Sequence, residues 1–320
     1  IGSMPSVRPL RPDLVLALLA ALAFSSLGTM RAWAQETPAP QRDRPDSLTV
    51  MTYNVLYATP DTGTVRAIEA VDPDVVALQE ISEPRLRHIA DELDYYFHHS
   101  DEHEANEEDT GLLSRYPISR PTRYGALLYL TVDDPIRIAN VHLSPYPYEP
   151  YALRDDEMTP QEAVAQARKT RSPEIKPVLD ALAKSVQEDV PTFLMGDFNE
   201  PSHLDWTPAA AEAGLHLGLE VPWPTSRAVT ERGFRDAFRV AHPDEVKRPG
   251  YTWTTLTGDP DEVHDRIDFI YVSGASVSVE TAYTVGLRDA SPTDRSVSGY
   301  PSDHRSVVTT VSLAPSPSDP

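Results

Sequence analysis

The 320-residue chain contains no cysteine. That excludes disulfides, thiolate metal sites and cysteine nucleophiles, and it suits an oxidising compartment, where a stray thiol is a liability. Positive charge is also scarce. There are 28 Lys and Arg against 49 Asp and Glu, a net charge of −21, and the lysines are limited to Lys169, Lys176, Lys184 and Lys247. Such a balance repels polyanions at long range and argues against nonspecific binding along a nucleic-acid backbone. An acid-rich, lysine-poor surface equally suits a saline environment, where screening shortens every surface field. Charge therefore carries little weight in choosing a substrate. Beyond the N-terminal region no apolar run is long enough to span a bilayer of roughly 30 Å.

The N-terminal run is the exception in kind but not in length. The stretch LVLALLAALAF at 14–24 follows Arg8 and Arg11 and precedes Ala32-Trp33-Ala34. A basic start, a short apolar core and a small-x-small site predict a secretory leader cleaved after Ala34. Ile1-Gly2-Ser3 ahead of Met4 reads as a vector-derived addition. With Arg8, Arg11 and Arg31 against Asp13, residues 1–34 carry +2 and the remainder is near −23. The expectation is a secreted or periplasmic, soluble monomer with no transmembrane segment after processing.

Between a Pro-rich linker at 35–47 and a tail at 314–320, no composition break or internal repeat divides the chain, so one domain over 48–313 is expected. Alternating or short apolar runs predict strands at 47–55, 74–80, 111–118, 136–143, 192–199, 265–273 and 302–313. Helical patterns fill the gaps at 64–71, 83–93, 160–169 and 173–186, with Pro173 and Pro177 breaking the last into two pieces. Strands interleaved with helices predict a mixed α/β sandwich, two packed sheets with helices outside.

The strand ends carry the chemistry: Asn54, Glu80, His142, Asp197 with Asn199, Asp268, and Asp303-His304. Each alone has an ordinary reading. Asn54 and Gly196-Asp197 suit turns, Glu80 a helix start, and Asp303-His304 a cap or a surface pair. Turns do not explain the whole set in this order. Magnesium takes oxygen ligands, commonly one or two carboxylates plus water and phosphate, so Glu80, Asp303 and an amide oxygen from Asn54 make a suitable sparse site. Phosphoryl transfer needs an activated water, neutralised equatorial oxygens and help for the leaving oxygen. Asp197 suits the water; Asn199 and His142 suit the phosphoryl oxygens. His304, oriented by Asp268, suits a group that holds a proton and polarises the phosphate.

The stretches TYNV, VVALQE, NVHL, MGDFNEPS, DRIDFIYV and SDHRSV, in that order, resemble the endonuclease/exonuclease/phosphatase superfamily. That group includes deoxyribonuclease I, exonuclease III, neutral sphingomyelinases and inositol-polyphosphate phosphatases. The resemblance spans 48 to about 313 and implies a four-layer α/β/β/α sandwich that hydrolyses phosphoesters with a divalent metal. It implies Asn54, Glu80 and Asp303 on the metal side, His142 at the phosphate or leaving group, and Asp197 and Asn199 at the nucleophile and phosphate. It makes Asp268 the orienting partner of His304, the catalytic histidine. Magnesium or manganese is the expected ion, with calcium as an alternative. Two departures stand out. Several nucleases carry an arginine shortly after the metal glutamate, where this chain has Ile81-Ser82-Glu83; and exonuclease III-type members have tyrosine where His142 stands. The second places the chain nearer the deoxyribonuclease I, sphingomyelinase and small-phosphoester side, and the first weighs against the nuclease reading.

Three stretches are candidates for reading the substrate. SPYPYEPY at 144–151 reads as a Pro-rich loop directly after His142, so Tyr146 and Tyr148 are placed to stack on a base or sugar, to touch lipid, or to pack on the scaffold. SHLDW at 202–206 brings His203 near the site, as ligand contact or structural donor. Arg227, with Arg232 and Arg235, offers a clamp for a second phosphate or carboxylate, or a partner for nearby acids. The acidic run at 101–109, with His103, lacks the regular spacing and turn glycine of an EF-hand calcium loop. Trp253 reads equally as core or as substrate platform. A small or lipid-derived phosphoester is the favoured substrate, and DNA or RNA the alternative. A bilayer-inserting apolar hairpin is not evident.

Overall fold

The computed structural model describes residues 45–57, 59–100, 110–131, 134–255, 261–287 and 293–314. The leader expected at 1–34, most of the linker and tail, and the acidic run at 101–109 lie outside them.

Alternation along the strands builds the layers. In β1 (Ser47–Asn54), Leu48 and Val50 belong to a buried cluster with Val75 and Ala77 of β2 (Val75–Gln79). The same cluster takes Ile136 and Ile138 of β7 (Asp134–His142), Phe193 and Met195 of β8 (Thr192–Asp197), and Ile270 and Val272 of β10 (Asp268–Ser273). Successive side chains point to opposite faces. Met51, Tyr53, Val76 and Leu78 therefore turn outward and pack with Ala67 and Ile68 of α1 (Asp61–Val71) and Leu86 and Ile89 of α2 (Glu83–Leu93). On the other side, Val141, Leu194, Phe269 and Tyr271 pack with Ile175, Val178, Leu179 and Leu182 of a helix at Ser172–Gln187. Helix, sheet, sheet, helix is the resulting order, as the resemblance implied.

The remaining strands are β3 (Tyr96–His99), β4 (Thr110–Ser114), β5 (Ile118–Thr122), β6 (Gly125–Thr131), β9 (Arg235–Asp236), β11 (Val277–Gly286), β12 (Arg295–Ser296) and β13 (Ser306–Leu313). One sheet runs β12-β11-β13-β1-β2-β4-β3 and the other β5-β6-β7-β8-β10-β9. β1 pairs parallel with β2, and β7 parallel with β8, so both sheets are mixed. The remaining helices are α3 (Glu149–Arg154), α4 (Pro160–Thr170), α5 (Ser172–Gln187), α6 (Pro208–Glu212), α7 (Pro224–Glu231) and α8 (Ala237–Ala241). Among the described residues no helix is long and apolar enough to cross a membrane.

Two local expectations fail for identifiable reasons. The region 173–186 is one helix, α5, not two pieces. Pro173 sits in its first turn, where the missing N–H has no intrahelical partner to lose, and Pro177 removes one bond. The buried face of Ile175, Val178, Leu179 and Leu182 outweighs that loss. The stretch expected as a loop over 144–151 turns into α3 from Glu149, with Pro150 in its first turn.

Candidate active site

Three neighbouring strands set the floor of the site. His142 on β7 pairs in register with Asp197 on β8, and Asp268 on β10 pairs with the same Asp197. Directly opposed residues share a face of a sheet, so His142, Asp197 and Asp268 stand in a row. Gly196 makes this possible. Its φ is +138°, and a Cβ there would lie 2.0 Å from the Val141 carbonyl oxygen, so any side chain would force β7 and β8 apart.

The other sheet supplies Asn54 at the end of β1. Its Nδ2 donates to Asp197 Oδ2 at 3.0 Å and to Glu80 Oε1 at 3.1 Å, while its Oδ1 accepts from the Leu56 N–H at 3.1 Å. Asn54 thus ties the carboxylate of one sheet to that of the other. Glu80 follows β2 in a left-handed conformation, φ +58°, and its Oε2 accepts from the Tyr57 N–H at 3.2 Å. Asp303 and His304 immediately precede β13. His304 Nδ1 donates to Asp268 Oδ2 at 2.9 Å and lies 3.7 Å from Asp197 Oδ2. His142 Nε2 is 3.8 Å from the same oxygen. Asp197 Oδ1 accepts from the Asn199 N–H at 2.8 Å, and Asn199 Nδ2 donates to the Leu143 carbonyl at 2.9 Å. All eight residues named from the strand ends are therefore gathered at one end of the sandwich, around Asp197.

Asp197, Asp268 and His304 are buried. Burial opposes charge on His304, but the Asp268 and Asp197 carboxylates outweigh it and raise the imidazole to about 10. Burial pushes the Asp268 carboxyl up, to about 6, against the pull of His304. Asp268 Oδ1 makes no hydrogen bond among the described residues. With His142 beside Asp197, the cluster sets two carboxylates against two imidazoles, groups whose charge depends on where the protons sit.

Where a divalent ion fits follows from the donors. Asp197, Asp268 and His304 offer three ligand atoms within 4.8 Å of one another. Because Nδ1 of His304 already donates to Asp268, that trio is a proton-holding set and not a cation cage. Glu80 and Asp303 are both partly exposed, and among the described residues Glu80 accepts only from uncharged donors, an amide and a backbone N–H. Hard oxygens with access to water suit a small divalent cation.

The rim is organised by residues that carried no sequence signal. Arg85 pairs with Asp61 at 2.7 Å and donates to the carbonyls of Leu56, Tyr57 and Thr59. It thereby shapes the loop that gives Tyr57 N–H to Glu80, and it stands five residues after Glu80, beyond the Ile81-Ser82-Glu83 departure. Arg171, fully buried, donates to the Ser144 and Pro147 carbonyls and pairs with Glu149 at 2.8 Å, while Glu174 accepts from the Ser144 N–H at 2.9 Å. Together they fix the chain that follows His142. Asp265 accepts from Tyr148 at 2.8 Å and from Trp206 Nε1 at 2.8 Å, with His216 Nδ1 3.2 Å away.

The four residues expected at the substrate differ in placement. Tyr146 is 75% exposed. Tyr148 is buried with its hydroxyl on Asp265, a scaffold contact. His203 Nδ1 and its backbone N–H both lie 2.9 Å from Ser226 Oγ, and Arg227 pairs along α7 with Glu231 at 3.0 Å. Trp253 packs on His304, their ring centroids 4.9 Å apart.

A sandwich with an Asp–His pair, a Gly-Asp-x-Asn corner and a separate oxygen-donor edge defines a metal-dependent phosphoester hydrolase. The chain belongs to the endonuclease/exonuclease/phosphatase family, whose model matches residues 51–304. It is 31% identical over 288 residues to the uncharacterized protein F14F9.5 of Caenorhabditis elegans, covering 82% of this chain and 90% of that one. Among solved structures it resembles an endonuclease/exonuclease/phosphatase from Beutenbergia cavernae, with a TM-score of 0.55, 17% identity, and 86% of this chain and 74% of that one covered. It also resembles D. rerio TDP2 complexed with single-strand DNA product, with a TM-score of 0.53, 18% identity, and 84% and 100% covered.

Proposed function

We propose that the protein is an exported, magnesium- or manganese-dependent hydrolase of small or lipid-derived phosphoesters. The observation that carries the chemistry is the position of Asp197. One of its oxygens meets the Asn54 amide and lies within 4 Å of both His142 and His304. In this reading Asp197 accepts the proton of the attacking water, so the water reaches phosphorus as the stronger nucleophile. His142 donates to a phosphoryl oxygen. Asn199 gives one amide hydrogen to Leu143 and keeps the second for the phosphate. His304, held by Asp268 through Nδ1, presents Nε2–H to the developing charge. Glu80 and Asp303 would hold the divalent ion, which supplies Lewis-acid stabilisation of the phosphoryl and leaving oxygens.

The substrate class rests on the basic groups at the rim. Arg85, Arg154 and Arg171 are engaged with carbonyls or carboxylates of the protein itself. A long polyanion needs a track of available cations, whereas a single phosphoester needs the metal and the histidines alone. The nuclease reading has support of its own: exposed Tyr146 beyond His142 and exposed Tyr57 beside Glu80 offer stacking surfaces, and two of the similar solved structures hold a DNA product. Export rests on the leader pattern at 1–34.

The test is an activity panel with magnesium, manganese or calcium, on plasmid DNA, a generic phosphodiester, a phosphomonoester, and lipid and inositol phosphates. Turnover of the small or lipid substrates well above that of DNA is expected. Rapid plasmid nicking, lost in His304→Ala, would replace this reading with the nuclease one. Export is checked by the N-terminus of the protein recovered outside the cytoplasm, expected at Gln35.

A further inference from the structure

Three side chains spaced three apart, Tyr148, Tyr151 and Arg154, lie along one face of the α3 turn and reach across to a single segment, 261–265. Tyr148 donates its hydroxyl to Asp265 Oδ2 at 2.8 Å, Tyr151 to Glu262 Oε1 at 2.8 Å, and Arg154 Nη1 to the Asp261 carbonyl at 2.9 Å. The Arg154 guanidinium also lies over the Tyr151 ring, 5.0 Å from its centroid, and Tyr148 meets that ring edge-on at 5.0 Å. One partner in this clasp has a second contact. Trp253 Nε1 donates to the Tyr151 hydroxyl at 3.2 Å.

Trp253 is bonded on both sides of its backbone. It exchanges N–H and C=O bonds with Asp265 at 2.9 Å each, and it bridges to His304. Its ring packs on His304 at 4.9 Å. The hydrogen-bond chain therefore runs from Trp253 to Tyr151 to Glu262, and the ring it orients touches the Asp268–His304 pair. Burial and the Glu262 hydrogen bond raise the Tyr151 phenol to about 12, so the hydroxyl keeps its proton and remains a donor to Glu262 while accepting from the indole.

We propose that Tyr151 is a positioning residue for hydrolysis. Its hydroxyl fixes the Trp253 indole and, through it, the orientation of His304, so that the chain following His142 and the chain preceding Asp268 are held at one separation. This rests on His304 serving the reaction as set out above. The geometry favours it over a purely structural role because α3 is already anchored without Tyr151, through Tyr148, Arg154 and the buried Glu149–Arg171 pair.

The test compares Tyr151→Phe with wild type and with His304→Ala, all as the full chain with magnesium. Tyr151→Phe keeps the ring but removes both hydroxyl bonds. The expected result is a kcat lowered roughly tenfold with KM within about twofold, as a small misplacement of a catalytic group produces. The Trp253 indole ¹H–¹⁵N resonance, identified by its loss in Trp253→Phe, is expected to shift upfield. Tm is expected within about 3 °C of wild type, since the hydroxyl contributes about one hydrogen bond. An unchanged kcat, an unmoved indole resonance, or a fall in activity that matches a general fall in Tm each overturns the proposal. If instead His304→Ala retains near-wild-type kcat, the catalytic reading fails first, and the indole shift still reports whether the Tyr151 tie exists.

Discussion

Two buried charge clusters meet at neighbouring positions of the chain, one at Arg266 and one at Asp268, and they are balanced differently. In the first, Asp205 pairs with Arg239 at 2.6 Å and Arg266 at 2.9 Å, and Arg266 pairs with Asp236 at 2.7 Å. Two guanidinium groups face two carboxylates. Burial pushes Asp205 up, yet the Arg266 and Arg239 charges hold it below the ordinary carboxylate range. In the second, Asp197 and Asp268 meet only titratable imidazoles among the described residues, His304 beside both and His142 3.8 Å from Asp197, and the Asp268 carboxyl is driven upward. Permanently charged guanidinium groups facing carboxylates lock a scaffold; imidazoles, which gain and lose protons, leave a site whose protons and ligands are still to be chosen. The same sandwich thus contains a cluster built to stay as it is and another built to exchange partners.

Breaking the balanced cluster has the largest expected effect on stability. Arg266→Met leaves Asp236 without its guanidinium and Asp205 with one fewer, so a loss of about 3–5 kcal/mol is expected in urea unfolding. A loss below about 1 kcal/mol would show that this network does not hold the fold. Breaking the histidine cluster acts on turnover instead. His304→Ala and Asp197→Ala are each expected to lower kcat by about 10³-fold, the scale of a lost proton-transfer group, with an unchanged far-UV circular dichroism spectrum. Near-wild-type kcat in either variant with magnesium would remove that residue from the mechanism.

Another buried carboxylate, outside both clusters, sharpens the comparison through pH. Glu200 follows Asn199 and accepts from the Thr225 N–H at 2.7 Å and hydroxyl at 2.8 Å. Burial outweighs these bonds and the Arg171 charge, with Glu149 adding to the shift, and raises Glu200 to about 7 from 4.5. The folded state therefore binds this proton more tightly than the unfolded chain. Its contribution is fully present below about pH 4.5 and is lost as pH rises to about 7. Relative to Glu200→Gln, the wild type is expected to lose up to about 3 kcal/mol of unfolding free energy across that window. Parallel curves for the two proteins between pH 4.5 and 8 would show that Glu200 is already ionised in the fold.

The sequence-readable part of this site is the part that strands position. Asn54, His142, Asp197 and Asp268 end or begin strands whose alternation is visible, and register then aligns three of them across β7, β8 and β10. What was not legible lies in side-chain partnerships across long separations. Nothing local announces that Tyr148 finds Asp265, 117 positions away, or that Arg171 holds the chain after His142. The Tyr148–Tyr151–Arg154 spacing is a helical signal, but the prolines around it mask a turn this short. Pro177 misled for the opposite reason, since a local penalty was overridden by a long buried face. β11 escaped because its exposed residues alternate imperfectly around a bulge between Val279 and Thr281.

The smallest expected effect completes the contrast between arginines. Arg227 pairs with Glu231 one helical turn away, and both are well over half exposed. Such a pair is screened by water and salt and contributes a few tenths of a kcal/mol. Arg227→Ala is therefore expected to change unfolding free energy by less than about 0.5 kcal/mol, where Arg266→Met costs several. It is also expected to leave kcat/KM unchanged on whichever phosphoester the panel identifies. A tenfold fall in kcat/KM with unchanged stability would mean that the Glu231 pair opens and the guanidinium reaches the substrate's second charge. That result would move the substrate class toward molecules with two anionic groups, one for the metal and histidines and one for the Arg227 guanidinium.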